Sequence, residues 1–277
     1  MLFEIDRGAH LYFRKWLSSG ELPGYPSANI IIVHGYAEHS GRYEYAGKYL
    51  SQKGFSVYAF DLPGHGKSVG SRALIPGIDD LVLKLKLFVE FVKTRDKGEK
   101  TFIIGHSMGG VVAALYASLY GNEIDGLITS GAAVMPLPEL KGMIQKIAEA
   151  VSTLLPELRT LSLDPDKLSR DAGVVEDYRS DPLNYNGKVK LKTAVELSRS
   201  RKMIEKAAGN ITVPFFVMHG ADDTLAEPEG SRLLFEKASS VDKTIRLFDG
   251  LRHEILNEPE KELVLEAIRD WLYLRLS

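Results

Sequence analysis

Short apolar runs alternate with longer helical patterns along most of this chain, and this alternation is the feature that most restricts its fold. Six runs rich in Val, Ile and Phe predict β-strands, at residues 29–33, 55–60, 101–104, 126–130, 213–218 and 244–248. Most of these runs are unbroken by polar residues, as expected for strands that are covered on both faces. The order of the patterns therefore predicts an α/β protein with a mostly parallel central sheet and helices on both faces.

Helical periodicity fills the stretches between these runs, and it predicts helices at residues 43–53, 79–94, 108–120, 228–239 and 259–274. The N-terminal residues 2–16 instead alternate apolar and polar side chains. We expect them to form one or two antiparallel strands at the sheet edge, with a bend at Gly8.

One connection is much longer than a crossover between parallel strands requires. About eighty residues separate the strands predicted at 126–130 and 213–218, where roughly a dozen would suffice. Apolar residues recur at helical spacing near 140–155 and 189–208, whereas the Pro/Asp/Ser-rich residues 156–186 predict loops and short turns. We therefore divide the chain into a core, residues 1–135 and 211–277, and an inserted helical cap, residues 136–210.

The composition excludes several classes of protein. The 277 residues are 44% hydrophobic, enough for one large core with an insert. A net charge of −2 gives no electrostatic reason to expect nucleic acid as a partner. The chain has no apolar run of spanning length, no signal-peptide pattern and no cysteine, which removes disulfides and thiol nucleophiles together. We expect a cytoplasmic protein.

The hexapeptide Gly-His-Ser-Met-Gly-Gly at residues 105–110 lies between a predicted strand and a predicted helix. In that setting a serine occupies a sharp strand-to-helix turn, and its hydroxyl is exposed above the sheet. Flanking glycines suit a backbone that is strained and closely packed. The pattern predicts Ser107 as a nucleophile, and a glycine-rich turn without catalysis is the alternative.

A serine nucleophile needs a base, because its free hydroxyl reacts poorly near neutral pH. Of the seven histidines, His253 lies in the loop after the last strand, at the strand's carboxyl end, where such sheets present functional groups. His106 adjoins the nucleophile and should point away from it. His34 and His219 each end a strand beside a glycine, where we expect packing roles. The other three histidines precede the nucleophile, and chain order alone excludes none of them.

An acid should orient His253 and stabilise its protonated form. Asp222 and Asp223 both follow the strand predicted at 213–218, and spacing does not choose between them. Asp249 lies closer to His253 in the chain, but its position before Gly250 suits a turn.

Two backbone N–H groups should bind the oxyanion of an acyl-transfer reaction. One belongs to Met108, the residue after the nucleophile. We assign the other to Tyr36, in the loop that follows the strand predicted at 29–33.

Several motifs together resemble those of the monoacylglycerol lipase and lysophospholipase family of α/β-hydrolases. Residues 34–43 resemble the family's HGxGEHSGRY signature, residues 61–68 its DxxGHGxS loop, and residues 105–110 match its GHSMGG elbow. Residues 168–171 and 178–183 are similar to its LSR and YxSDPL elements in the cap. The resemblance covers nearly the whole chain, and it implies an α/β-hydrolase fold and the cleavage of glycerolipid esters.

The same resemblance implies residue roles. It implies a triad of Ser107, His253 and Asp223, because the family's acid is the Asp of a GxxD element. It also implies that three residues help to bind the glycerol end of the substrate: Glu38, Arg42 and Tyr178. In two positions the chain departs from the family pattern. Ala37 stands where glycine is usual, and Leu256 stands where some animal members carry a second histidine.

The expected reaction is hydrolysis of a monoacylglycerol to glycerol and fatty acid through an acyl-enzyme, with no metal or organic cofactor. Because His253 must be neutral to act as the base, we expect activity to fall around or below the ordinary histidine pKa of about 6.5.

A lysophospholipase or a general carboxylesterase is the principal alternative. A proline-releasing peptidase shares the triad and cap, whereas a non-catalytic binding protein would be expected to lack a triad member.

Two other functions, phosphate binding by a loop and hydrolysis with a carboxylate nucleophile, are each excluded by the residue at one position. Residues 64–68 end like a phosphate-binding loop, but Asp61 stands where the first glycine of such a loop belongs. Related hydrolases that attack with a carboxylate carry Asp at the elbow, where this chain has Ser107.

The amphipathic pattern at residues 140–155 has two interpretations. In the preferred one, its apolar face closes over the core and lines an acyl pocket. In the other, part of this face stays exposed and contacts a membrane surface transiently. The expected partner is a small lipid ester in both cases, with the membrane surface as an additional partner in the second.

Overall fold

The computed structural model of the chain describes residues 1–6, 9–18, 27–96, 100–134 and 142–276. Within them, eight strands form one sheet in the order β1-β2-β4-β3-β5-β6-β7-β8. The strands are β1 (Leu2–Asp6), β2 (Ala9–Trp16), β3 (Ala28–Val33), β4 (Phe55–Phe60), β5 (Lys100–His106), β6 (Gly126–Ser130), β7 (Phe215–Gly220) and β8 (Lys243–Phe248). Strands β3 to β8 pair in parallel, and β1 and β2 run antiparallel at one edge. The predicted mostly parallel sheet is confirmed.

The strand boundaries differ from the predicted ones mainly at β7. This strand begins at Phe215 rather than Val213, because Pro214 has no N–H to contribute to the ladder. Its neighbour Phe215 donates its N–H to the Asp242 carbonyl at 2.9 Å. At the N-terminal edge, β1 and β2 are the expected antiparallel pair, and the predicted bend at Gly8 lies outside the described residues.

Eight α-helices connect or follow the strands in the part of the chain described. They are α1 (Glu44–Gln52), α2 (Ile78–Arg95), α3 (Met108–Tyr120), α4 (Gly142–Leu154), α5 (Ala172–Ser180), α6 (Leu191–Ala207), α7 (Pro228–Lys237) and α8 (Lys261–Tyr273). Two buried apolar clusters cover the two faces of the sheet. Helices α1 and α8 contribute to one cluster, and α2, α3, α6 and α7 contribute to the other. The expected helices on both faces are therefore present.

Helices α4, α5 and α6 all lie between β6 and β7, in the long connection that the sequence predicts as a cap. Helix α6 packs against α3 and α4. Helix α5 contradicts the prediction of loops and short turns at 156–186. The Asp171 carboxylate caps this helix by accepting the Gly173 N–H at 2.9 Å, and Val175 and Tyr178 are buried. The predicted start of the cap at Pro136 and the start of its first helical pattern at Leu140 lie outside the described residues.

The parallel strands end at the same edge of the sheet. The loops after β3, β5, β7 and β8 carry Tyr36, Ser107, Asp223 and His253 respectively. The topology therefore brings together residues that are far apart in the sequence, as the carboxyl ends of parallel strands generally do. In the described part of the chain, no helix has both the length and the apolar character needed to cross a membrane.

A matched pair of leucines in α2 tests how much a buried side chain stabilises the apolar cluster to which α2 and α3 contribute. Leu85 is fully buried, whereas Leu83 is 47% exposed two residues away on the same helix. We expect Leu85→Ala to lower the free energy of unfolding by about 2–5 kcal/mol, because a cavity remains in a closely packed core. Leu83→Ala should lower it by less than about 1 kcal/mol. Urea denaturation followed by circular dichroism measures both, and equal losses would contradict this packing.

Candidate active site

Ser107 lies on the tight turn that joins β5 to α3. Its backbone has φ +53°, a left-handed conformation that residues other than glycine rarely adopt. The neighbouring glycines allow this turn to pack closely. A Cβ on Gly105 would lie 2.4 Å from the Gly109 carbonyl oxygen, and a Cβ on Gly109 would lie 2.2 Å from the Val33 carbonyl oxygen. The turn is therefore strained and buried beneath an accessible serine, an arrangement typical of reactive sites.

Ser107, His253 and Asp223 form a continuous chain of hydrogen bonds. The Ser107 Oγ lies 2.9 Å from the His253 Nε2, and the His253 Nδ1 lies 2.7 Å from the Asp223 Oδ2. With His253 neutral, Nδ1–H donates to the carboxylate and Nε2 accepts the serine hydroxyl. Asp222 and Asp249 are exposed and make no such contact.

Asp223 is held by more donors than His253 alone. Its Oδ1 accepts the backbone N–H groups of Leu225 and Ala226, at 2.8 and 3.0 Å. Its Oδ2 also lies 2.9 Å from the Nε2 of His219. Burial by itself would raise the pKa of Asp223, but the charge of His253 and the bonds from both histidines bring that pKa well below its ordinary value.

The pKa of His253 is raised above its ordinary value. Burial acts in the opposite direction, but the adjacent Asp223 carboxylate outweighs it through its charge and its hydrogen bond, and Glu254 and Glu38 add to the effect. The carboxylates therefore favour protonation of His253 at a higher pH than is usual for histidine, whereas the sequence alone leads us to expect the loss of activity around or below pH 6.5. The neighbouring His106 is affected differently, because burial and His253 lower its pKa to about 4.

The loop after β3 approaches Ser107 closely. A Cβ on Gly35 would lie 3.1 Å from the Ser107 Cβ. Within the described residues, no acceptor takes a hydrogen bond from the Tyr36 or Met108 backbone N–H. Both donors are thus available to an oxyanion formed at the serine.

The described residues between β6 and β7, 131–134 and 142–214, include α4, α5 and α6 and are called the cap segment below. This segment holds the loop after β3 through the Ala37 carbonyl. Ala37 has φ +66°, which explains why glycine suits this position better. Its carbonyl accepts the Tyr185 backbone N–H at 2.9 Å and the Tyr178 hydroxyl at 3.3 Å. These two hydrogen bonds from the cap segment help to offset the cost of the left-handed backbone.

A buried ionic cluster forms the polar side of the site. The Arg42 guanidinium makes a bidentate pair with Glu254, with one contact at 2.7 Å, and it contacts Glu38 at 3.3 Å. Glu38 also accepts the Gly35 N–H at 2.7 Å and the Tyr43 hydroxyl at 2.8 Å. Burial would raise the pKa of Glu254, but Arg42 holds it at about 2. Glu254 is therefore ionised, and hydrogen bonds fix both carboxylates in position.

A cavity lies above Ser107, between the core and the cap segment. Glu38, Tyr178 and Glu254 contribute to its polar wall, whereas Arg42 lies behind them and does not line it. The remaining wall is largely apolar and includes Leu161, Leu163, Leu168, Val189, Leu197 and Leu225. No described residue of α4 lines the cavity, and Ser152 is the only buried residue of that helix. The preferred interpretation of this helix as a wall of the acyl pocket is therefore wrong for its described residues.

Two residues of this site were missed by the reasoning from sequence. His219 was expected only to pack, yet it contacts Asp223, and its position four residues before that carboxylate was the available signal. Glu254 was not considered, although it directly follows His253. Among the residues described, no group of three or more His, Asp or Glu side chains is placed to hold a metal ion.

Comparison with known proteins identifies the family of the chain. The sequence profile of the family described as serine aminopeptidase, S33, matches residues 24–260. A monoacylglycerol lipase of Mycolicibacterium smegmatis is 33% identical over 269 residues, which cover 97% of this chain and 95% of that protein. Human monoglyceride lipase is 33% identical over 273 residues, covering 98% and 89%. The crystal structure of Paleococcus ferrophilus monoacylglycerol lipase superposes with a TM-score of 0.83 at 34% identity, covering 96% and 99%. The chain therefore belongs to the serine aminopeptidase S33 family of α/β-hydrolases, as a relative of the monoacylglycerol lipases.

Proposed function

We propose that this protein is a serine esterase that hydrolyses monoacylglycerols to glycerol and a fatty acid through an acyl-enzyme. The observation that carries the proposal is the hydrogen-bonded chain Ser107–His253–Asp223 at the floor of a cavity with apolar and polar walls. The similarity to monoacylglycerol lipases along almost the full chain supports the choice of ester.

In the first half of the reaction, His253 accepts the hydroxyl proton of Ser107 while Oγ attacks the ester carbonyl carbon. The N–H groups of Tyr36 and Met108 stabilise the oxyanion. The bond to the glycerol oxygen then breaks, and His253 gives its proton to that oxygen. In the second half, His253 takes a proton from water as the water oxygen attacks the acyl-enzyme carbonyl. The bond between the acyl carbon and the Ser107 Oγ then breaks, and His253 returns the proton to Oγ, which releases the fatty acid and restores both residues. These steps need no metal or organic cofactor.

The two kinds of wall suit the two ends of a monoacylglycerol. The leucines and Val189 on the apolar side would contact the acyl chain, and residues 136–210 would act as the cap that covers it. At the polar end, Glu38 and Tyr178 would contact the glycerol. Arg42 would act through Glu38 and Glu254, because it lies behind the cavity wall and holds both carboxylates.

Enzymes that catalyse related reactions share this triad, so the triad alone does not identify the substrate. One assay panel distinguishes the candidate reactions. Monoacylglycerols, lysophospholipids, p-nitrophenyl esters and peptides with N-terminal proline should be assayed side by side. We expect the highest kcat/KM with monoacylglycerols. A preference for lysophospholipids would reassign the substrate, and turnover of peptides without turnover of esters would make the protein a peptidase.

Replacing the nucleophile gives the first test. Ser107→Ala should reduce ester hydrolysis by a factor of about 10⁴ or more, because no covalent intermediate forms. It should also abolish labelling by a fluorophosphonate, while the circular dichroism spectrum stays unchanged. Retained labelling would show that another serine reacts.

The two adjacent aspartates provide a matched test of the acid. Asp223→Asn should lower kcat by a factor of up to about 10⁴, because the amide stabilises the wrong tautomer of His253. Asp222→Asn should leave kcat within about twofold, because this side chain is exposed and outside the hydrogen-bonded chain. An equal loss in both variants would contradict the assignment.

The pH profile tests the charge environment of His253. Its raised pKa means that the imidazole is neutral, and active, only above that pKa. We therefore expect kcat/KM to fall with decreasing pH, with a midpoint above the ordinary histidine value of about 6.5. A midpoint below this value, measured on a soluble ester to avoid interfacial effects, would show that burial outweighs the carboxylates.

We further propose that the protein acts in the cytoplasm and contacts lipid surfaces transiently through α4. Met143, Ile144 and Leu154 are 77%, 67% and 79% exposed on this helix. Ile147 on the same helix and Leu155, the residue directly after it ends, are also more than half exposed. Exposed apolar side chains at helical spacing suit insertion into the boundary between headgroups and acyl chains.

Flotation with phosphatidylcholine vesicles tests this contact. We expect wild-type protein to float in part, and Ile144→Asp to remain at the bottom of the gradient, because a charge opposes insertion. Val241→Asp is the control, since Val241 is fully exposed but lies outside the cap segment. Absence of wild-type binding would remove the membrane contact without affecting the esterase proposal.

A further inference from the structure

A second histidine is buried against the acid of the proposed triad, and the mechanism above does not use it. His219 is the penultimate residue of β7 and has no exposed surface. Its Nε2 lies 2.9 Å from the Asp223 Oδ2 and 2.7 Å from the Ala226 carbonyl oxygen. Its Nδ1 lies 2.6 Å from the Ser231 Oγ, on α7.

These neighbours determine which nitrogen of His219 carries the proton. Nε2 faces two oxygens that can only accept, so it must carry a hydrogen, because two acceptors facing a lone pair would repel it. Nδ1 faces a hydroxyl, which can donate to it. A neutral His219 with its proton on Nε2 therefore satisfies both ring nitrogens without a buried charge.

The contact has two consequences for Asp223. Its Oδ2 accepts from His219 and His253 together, and its Oδ1 accepts two backbone N–H groups. The carboxylate therefore cannot rotate without losing donors. The His219 bond also stabilises the negative charge on the oxygen that faces His253, which reduces the ability of that oxygen to stabilise an imidazolium.

We propose that His219 is a positioning residue, which holds the Asp223 carboxylate toward His253 and limits how strongly that carboxylate stabilises protonated His253. The proposal rests on the proposed function, because it assigns His219 a role in the same triad. His219 acts through Asp223: it makes no hydrogen bond to Ser107 and does not itself line the cavity, although its partner Ala226 does.

The direction of the pH effect follows from the groups that face His253. Asp223, Glu254 and Glu38 favour its protonated form, whereas burial opposes it. His106 is a further titratable neighbour, with ring centroids 4.9 Å apart, and its lowered pKa keeps it neutral. Loss of the His219 donor makes Asp223 more basic, so the pKa of His253 should rise further.

Two substitutions of His219 separate this role from simple packing. His219→Leu removes the donor, and His219→Gln keeps an N–H in a similar position. For the Leu variant we expect kcat about tenfold lower, the loss associated with a hydrogen bond to a charged group. We expect KM within about twofold of wild type, because substrate contacts are untouched. The acidic limb of the pH profile should move up by about half a pH unit.

The Gln variant should recover most of kcat and the original pH profile. If the Leu variant keeps both kcat and the acidic limb of the wild type, the proposal is wrong. It is also wrong if the Leu and Gln variants lose kcat equally with unshifted limbs, since that pattern indicates only a packing role.

A measurement on the wild-type protein covers the case in which His219→Leu does not fold. Nitrogen-15 NMR of histidine-labelled protein should show His219 with a protonated Nε2 and an unprotonated Nδ1, the tautomer that its contacts require. An unprotonated Nε2 would overturn the proposal. This measurement needs no substrate, so it is independent of the assay panel, whose failure would overturn the proposed function instead.

Discussion

The close contact between the β5–α3 turn and the end of β3 is the constraint on which the rest of the site depends. Gly109 lies so near the Val33 carbonyl that no side chain fits between them. Ser107, on the same turn, has a left-handed backbone, and its side chain lies beside the loop after β3. Tyr36 and Met108 therefore lie at the same edge of the sheet as Ser107. Strands β7 and β8 end at the same edge, so the loops that follow them place Asp223 and His253 close to Ser107.

Buried charge is concentrated around this turn. Arg42 neutralises only part of the charge of Glu38 and Glu254, and Asp223 adds another carboxylate nearby. Buried ion pairs contribute little net stability, because the cost of removing charges from water offsets much of their attraction. Their effect here is on position and on protonation. They fix the loop after β3 through Glu38, and together with Asp223 they favour the protonated form of His253.

The cap segment is connected to the same machinery rather than only lying above it. Tyr178 and Tyr185 hydrogen-bond the Ala37 carbonyl, and His39 in the loop after β3 contacts Asp181 at 2.8 Å. The loop that carries Tyr36 therefore has contacts on both sides, with the core through Glu38 and with the cap segment through Ala37. The apolar face of α4, by contrast, points away from the cavity and is open to solvent.

The sequence alone predicts the sheet, the helices on both of its faces and the candidate nucleophile Ser107, because these depend on local patterns. Unbroken apolar runs indicate covered strands, and a serine between glycines after such a run indicates a strained turn. It left Asp222, Asp223 and Asp249 open, and the choice of Asp223 came from family resemblance, with which the contact to His253 agrees. Three other features become visible only in the folded chain: the His219 contact to Asp223, the pairing of Arg42 with Glu254, and the exposure of α4. Each depends on which side chains meet across elements distant in the chain, or on which face of a helix is covered, and periodicity carries neither kind of information.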